Sequence, residues 1–365
     1  MNKKNIKTLI SISLMSLILT TFLSTGSIKA SKSVAINYVH YVTRTAGETR
    51  YKTAFEVAIA NWRNSDNVIL ASGEGYADGL SASTLAKKLD APILLTTPNT
   101  LSEEASNALN ILKPKNIYVI GGTASVSQKI RDNLKNKYTV IELGGATRYE
   151  TNIKVANKLV ELGANPSNVL AVSGEGFSDA ISAAPAAAAK GEILLLANNN
   201  KDSIKQTINF VKGNKSKVVV IGTDKVINNT IYNYIGATKR IDGGEDRFST
   251  NLKILREFKD DFNYKKIYVA AATVQNPDNL YADALVATSV AGKYSAPLVL
   301  VNNNTYSYFT RDVTSDAIDY ITSNAMKNID KSNVIQLIGG SEVIPFYVED
   351  DIEHILRSRS HENPL

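Results

Sequence analysis

The sequence predicts an α/β protein built as three tandem lobes, each with a parallel sheet covered by helices on both faces. Two observations predict it. The first is repetition: four blocks recur in the same order three times. "TRTAGETRYKTAFEVA" (Thr43–Ala58) matches "IELGGATRYETNIKVA" (Ile141–Ala156) and "KRIDGGEDRFSTNLKIL" (Lys239–Leu255). "SGEGYADGLSA" from Ser72 matches "SGEGFSDAISA" from Ser173, and its centre returns as "NLYADALVA" from Asn279. "APILLTT" from Ala91, "GEILLLA" from Gly191 and "APLVLVN" from Ala296 form the third block. "IYVIGGTASVS" from Ile117, "VVVIGTDKVI" from Val218 and "IQLIGGSEVI" from Ile335 form the fourth. The second observation is alternation. Short continuous apolar runs, as in strands buried on both faces, alternate with segments of helical period.

In the first repeat the elements follow in order. Tyr38–Arg44 reads as a strand ending in a turn at Gly47. A helix fits 50–63, where Ala54, Val57, Ala58 and Asn61 fall on one face. "NVILAS" (Asn67–Ser72) is a strand, and Asp78 opens a helix to Leu89 as its N-cap or first-turn acid. Pro92–Thr97 is a strand, Ser102 starts a helix with Glu residues behind it, and Asn116–Ile120 is the next strand. Gly121–Gly122 turns into a last helix over 125–135. By the same pattern the repeats run 38–137, 138–236 and 237–357, with almost no linker between them, so a compact three-lobed body is expected. The third carries a longer loop, "ATVQNPDNLYADA", before its aspartate.

Residues 1–30 have the form of a secretory signal peptide, with Lys3, Lys4 and Lys7 before the apolar run Leu9–Leu23 and small residues up to Ala30. The full chain has a net charge of +6, but Lys3, Lys4, Lys7 and Lys29 leave with the signal. The remainder is about +2, too weak an overall field to suggest a nucleic-acid partner. Beyond the signal no apolar run reaches membrane-spanning length. Cysteine is absent, so a secreted chain of this kind rests on its apolar cores.

Three classes of function can be weighed against the repeated turn. A dinucleotide site needs G-x-G-x-x-G, but Gly73, Gly75 and Gly79 are one residue too widely spaced, and the third repeat lacks the glycines. A zinc hydrolase needs clustered ligands, and the chain has three histidines, His40, His354 and His361, with no H-x-x-x-H pair. A serine hydrolase needs G-x-S-x-G, which does not occur. No cofactor is expected. Carboxylate pairs of the glycosidase kind stay open because Asp and Glu are plentiful, but a repeated site would then imply three active sites in one chain, which is unusual. Repeated sites on one body suit a repeating polymer instead, through linked contacts.

The candidate site residues are those that align across all three repeats: Arg50, Arg148 and Arg247, and Asp78, Asp179 and Asp283. Each arginine stands at a helix start, where a cation opposes the helix dipole, so another partner is expected. That partner is either an aligned aspartate, in a structural salt bridge, or an anionic ligand; a guanidinium can serve both. Tyr51, Tyr149 and Phe248 follow the arginines, and Tyr76, Phe177 and Tyr281 precede the aspartates by two. Such rings suit sugar stacking, but at repeated positions they read first as core packing.

These blocks, "ETRYKTAFEVA", "YADGLSAS", "APILLT" and "IYVIGGTASVS" above all, resemble the cell-wall-binding repeat 2 family of Gram-positive surface proteins. The resemblance covers nearly all of 38–357. It implies three Rossmann-like or Toprim-like lobes in a pseudo-threefold arrangement. It also implies non-covalent, non-catalytic attachment to an anionic secondary polymer of the cell wall, similar to a teichoic acid, in or beneath a surface layer. Arg50, Arg148 and Arg247 match the family's R-Y/F/I position, and Asp78, Asp179 and Asp283 its A-D-A/G position. Other surface-layer proteins are then expected partners, and nucleic acid is not. The alternatives are a wall-modifying hydrolase, or a protein of surface-layer assembly or adhesion. Departures such as Gly191–Glu192 for Ala–Pro, and the lone Gly222 for a pair, leave open how many of three sites bind.

Overall fold

The computed structural model describes residues 41–244, 246–272, 281–302, 313–326 and 334–362. The signal segment and the first residues of the expected Tyr38–Arg44 strand lie outside them. The first repeat contributes β1 (Val42–Thr45), α1 (Arg50–Asn61), β2 (Asn67–Ser72), α2 (Tyr76–Gly79), α3 (Ala82–Leu89), β3 (Ile93–Thr96), α4 (Glu103–Leu112), β4 (Asn116–Ile120) and α5 (Gln128–Lys135). The second contributes β5 (Thr139–Leu143), α6 (Arg148–Glu161), β6 (Asn168–Ser173), α7 (Ser178–Lys190), β7 (Ile193–Ala197), α8 (Lys205–Asn214), β8 (Lys217–Ile221) and α9 (Asn229–Tyr234). The third contributes β9 (Ala237–Ile241), α10 (Arg247–Glu257), β10 (Lys266–Ala271), α11 (Ala282–Tyr294), β11 (Leu298–Val301), α12 (Val313–Met326), β12 (Val334–Ile338) and α13 (Phe346–Glu362).

Local signals place these elements. Thr49, Thr147 and Asp246 are extended N-caps whose side chains accept from the N–H groups of Lys52, Glu150 and Ser249. Ser102 caps α4 by accepting from Ala105 N. The expected helix from Asp78 divides at Leu80–Ser81 into α2 and α3, whereas α7 and α11 run unbroken. Gly79 stands at the break because a side chain there would meet Leu285 Cδ2 at 2.5 Å.

The three sheets each have four parallel strands, in the orders β3-β2-β4-β5, β7-β6-β8-β9 and β11-β10-β12-β1. Sequence repeat and sheet are therefore offset by one strand. β5, the opening strand of the second repeat, pairs with β4 from Asn116↔Thr139 to Ile120↔Leu143 and so completes the first sheet. β9 completes the second sheet in the same way. The first repeat has no predecessor, and β1 pairs with β12 of the third, from Val42↔Ile335 to Thr45↔Ile338. The chain closes on itself, so no lobe lacks its fourth strand.

That closure is held by side chains as well as by the ladder. Glu353 accepts from the backbone N–H groups of Tyr41 and Val42 at 2.8 and 2.9 Å. Arg44 pairs with Glu349 at 2.9 Å. Inside the closed ring α3, α7 and α11 pack against one another, each on its own sheet. Their Ala, Ser and Gly residues, such as Ala183, Ala187, Ala287 and Gly292, are fully buried and let the helices approach closely. Ser83 Oγ and Thr288 Oγ1 share a hydrogen bond of 2.5 Å between two of them.

Candidate functional site

The three copies of the repeated turn meet at one place. Tyr76, Phe177 and Tyr281 form a triangle with ring centroids 5.7–5.8 Å apart, every pair edge-on or tilted. That near-equilateral set marks the pseudo-threefold axis, at the N-terminal ends of the three central helices. Edge-to-face contact satisfies the ring quadrupoles better than parallel stacking would.

Each aligned arginine lies over the aromatic ring of the preceding repeat. Arg148 stands over Tyr76 and Arg50 over Tyr281, both at 5.4 Å, and Arg247 stands over Phe177 at 5.0 Å. The guanidinium then donates to a carbonyl at the end of its own repeat's strand: Arg50 to Gly73 O and Arg148 to Gly174 O at 2.5 Å, Arg247 to Ala272 O at 3.1 Å. The first glycine of the Ser-Gly-Glu-Gly turn is explained by this contact. A Cβ at Gly73 would lie 2.6 Å from the Tyr51 ring, and one at Gly174 2.8 Å from the Tyr149 ring. Among the described residues neither Arg50 nor Arg148 forms a salt bridge with an aspartate; cation–π and carbonyl contacts hold them instead.

The three aspartates sit one step further out, each pressed against the glycine that ends a strand. Gly121, Gly222 and Gly339 have φ of +105°, +102° and +130°. A Cβ on them would meet Oδ2 of Asp78, Asp179 and Asp283 at 2.5, 2.5 and 2.9 Å. Glycine is required twice over, by the positive φ and by the carboxylate. The lobes then differ. Ser125 donates to Asp78 Oδ2 at 2.5 Å, but the matching positions facing Asp179 and Asp283 are Val226 and Val343. Burial pushes Asp179 up to about 6, with Arg247 drawing it down and Asp242 pushing it further up. Burial likewise pushes Asp283 up to about 6, opposed by a hydrogen bond from Thr53 and by Arg50. At both sites burial outweighs the neighbouring arginine, and at Asp283 it outweighs the Thr53 donor as well.

Clefts open beside these two aspartates. One of about 500 Å³ lies where the first repeat meets the third, lined by Glu48, Arg50, Thr53, Asp283, Ser341 and Glu342 among others. One of about 280 Å³ lies beside Asp179, lined by Ser173, Glu175, Asn199 and Lys225 among others. Among the described residues no group of His, Asp and Glu is placed to hold a metal ion.

Two sets of residues were not singled out from the sequence. Asn152 is buried in α6, donates to Ser81 Oγ and Leu194 O, and accepts from Leu196 N. Asn251 does the same in α10 with Ser182 Oγ, Leu298 O and Leu300 N. Each stitches a helix to its sheet's edge and to the preceding repeat, while the first repeat has Ala54 at that position. The signal was present, since an asparagine recurs on an otherwise apolar helix face. The second set holds the glycine carbonyls: Arg131 donates to Gly121 O, Arg240 to Gly222 O and Arg44 to Gly339 O. Arg44 and Arg240 share one repeat position, but the first lobe has Glu142 there, and it pairs at 3.0 Å with the helix-borne Arg131. The alignment of letters hides that exchange.

Three repeated lobes closed into a ring, with equivalent residues meeting on one axis, define a tandem-repeat α/β body. The chain belongs to the family described as Cell wall binding domain 2 (CWB2), which matches residues 44–131, 142–232 and 240–349. The matched region is a binding domain rather than a catalytic one, and it associates with the cell wall. The chain is 28% identical over 300 residues to the Amidase enhancer of Bacillus subtilis (strain 168), spanning 80% of this chain and 39% of that protein. It is 30% identical over 277 residues to N-acetylmuramoyl-L-alanine amidase LytC of the same organism, spanning 74% and 52%. Cwp6 from Clostridium difficile has the same fold, with a TM-score of 0.73 and 26% identity over 90% of this chain and 50% of that one. Cwp8 from Clostridium difficile shares the fold at 22% identity and a TM-score of 0.72, over 87% of this chain and 52% of that one. The chain thus spans about half the length of these proteins or less. No helix among the described residues is long and apolar enough to cross a membrane.

Proposed function

We propose that the chain is secreted and attaches non-covalently to the cell wall by binding an anionic secondary polymer, a glycopolymer of the teichoic-acid kind. The observation that carries the anionic part is the state of Arg50 and Arg148. Both are half-buried at seams between repeats, and neither forms an ion pair among the described residues, although Arg50 acts on Asp283 and Arg148 on Glu175 at longer range. A guanidinium held by a ring and a carbonyl keeps its full charge and spare donors. In this reading the six aligned residues serve the lobe interfaces first, and the arginines lend positive potential to the clefts beside them.

The test is a pulldown of the chain without residues 1–30 on purified walls, before and after chemical removal of the anionic polymer. Binding lost on removal and weakened by salt supports the proposal. Equal binding to both preparations defeats it. The likeness to the Amidase enhancer favours a second reading, in which the wall-bound chain works on or beside a wall hydrolase. Turbidity loss of wall suspensions, measured for a purified amidase with and without this chain, separates the two. Assembly with other surface-layer proteins belongs to the same proposal and is read from co-precipitation on walls.

A further inference from the structure

We infer that the outer face of the second lobe is a polyanion-binding tract, made by Lys201, Lys205, Lys212 and Lys215 around Tyr234. The inference rests on the polymer reading above and says where the polymer's charge is met.

Charge is distributed unevenly among the repeats. Between 198 and 241 the chain has eight basic residues and two acids, while the matching stretch 98–143 has six and four. In the first lobe three of those six cations are in ion pairs: Lys115 with Asp66, Lys135 with Asp132 and Glu142, and Arg131 with Glu142. In the second lobe Lys201, Lys205, Lys212 and Lys215 are all exposed, and none forms an ion pair among the described residues.

The lysines are also gathered. Lys201 Nζ lies 3.6 Å and Lys212 Nζ 4.9 Å from the centroid of the Tyr234 ring, which is itself 37% exposed. Lys212, Lys215 and Tyr234 line one recess of about 660 Å³ with Ser216 and Asn233. Lys205 and Lys212 are seven residues apart in α8, two turns along the same face. Two ammonium groups on one ring, with no carboxylate between them, repel each other, and an incoming anion relieves that repulsion. The first lobe keeps only the C-cap lysine of this set: Lys113 stands where Lys215 does. Its residues at the positions of Lys205, Lys212 and Tyr234 are Glu103, Asn110 and Asn133. Lys205 at the start of α8 also opposes the helix dipole, where Glu103 and Glu104 complement it in α4. A wall glycopolymer is favoured over nucleic acid because the tract has a single exposed ring rather than a series on which bases could stack.

The experiment compares the wild-type chain with the triple variant Lys201→Gln/Lys212→Gln/Lys215→Gln. A control, Lys113→Gln/Lys115→Gln, alters the corresponding turn of the first lobe. Probes are inorganic polyphosphate, duplex DNA, and walls with and without their anionic polymer. The triple variant should bind polyphosphate on the order of tenfold more weakly, with a slope of log affinity against log salt smaller by about 2. It should also lose wall binding, keep its thermal midpoint, and differ from the control, which should bind as wild type does. Equal polyphosphate binding by wild type and triple variant overturns the tract, as does an equal loss in the control. Tighter binding of DNA than of polyphosphate at equal charge overturns the wall polymer as its ligand. If stripped walls bind as well as intact ones, the polymer reading fails, while the polyphosphate arm still decides the tract.

Discussion

Replacing Asp179 and Asp283 by asparagine should remove a pH dependence of stability whose sign is unusual for carboxylates. Both groups are pushed up to about 6 by burial in the folded chain, against about 3.9 when unfolded. Between those values the folded state binds more protons than the unfolded one. Their effect on stability is thus most favourable below pH 4 and declines as pH rises through 6. A shift of about 2 units corresponds to at most about 3 kcal/mol per group, and solvent at the cleft rims lowers it, so about 2–4 kcal/mol is expected for the pair. Glu142 and Glu175 act oppositely: hydrogen bonds from Lys135 and Tyr149 respectively hold them below the usual carboxylate range. The quantity to measure is therefore the difference between wild type and double variant in urea midpoint, from pH 4.5 to 7.5. The variant should gain on the wild type across that window. A constant difference, or a variant that loses ground with rising pH, refutes the assignment of raised pKa values to these two sites.

Three further outcomes follow from the same geometry. Val226→Ser should place before Asp179 the donor that Ser125 gives Asp78, stabilising the chain at pH 7 by about 1 kcal/mol in thermal or urea unfolding, with no gain at pH 4. Asn251→Ala leaves Leu298 O and Leu300 N without their buried partner and should cost about 2–4 kcal/mol; a cost below 1 shows that water or the edge strand replaces it. Arg148→Ala removes the contacts to Tyr76 and Gly174 O and should destabilise by about 1–3 kcal/mol, measured by urea unfolding beside wall binding at matched folded fraction. Affinity that falls at an unchanged midpoint would assign Arg148 to the polymer instead.

Much of the fold was legible because repetition and alternation are local properties of the chain. Apolar runs such as "ILLT" and "LVLV" read as buried parallel strands, and Ser102 announces its helix by chemistry that acts within one turn. The aligned arginines, aspartates and rings were found from spacing alone. Spacing carries no information on partners, however. It could not say that Arg50 rests on Tyr281, more than two hundred residues away, rather than on an aspartate. Nor could it separate Asp78 from Asp179 and Asp283, since that difference lies in Ser125 against Val226 and Val343, contributed by another block.

The sequence by itself determined three copies of an α/β unit, the strands and helices within each, and the residues that would meet if the copies were related by symmetry. Tertiary structure alone decided that each copy lends its opening strand to the sheet before it, so that β1 closes the ring on β12. A strand's own residues specify that it is buried and parallel, not which neighbouring edge takes its hydrogen bonds. That choice depends on how three sheets and three central helices pack together. The same packing brings Tyr76, Phe177 and Tyr281 onto one axis and leaves Lys201, Lys205, Lys212 and Lys215 exposed with no ion pair among the described residues.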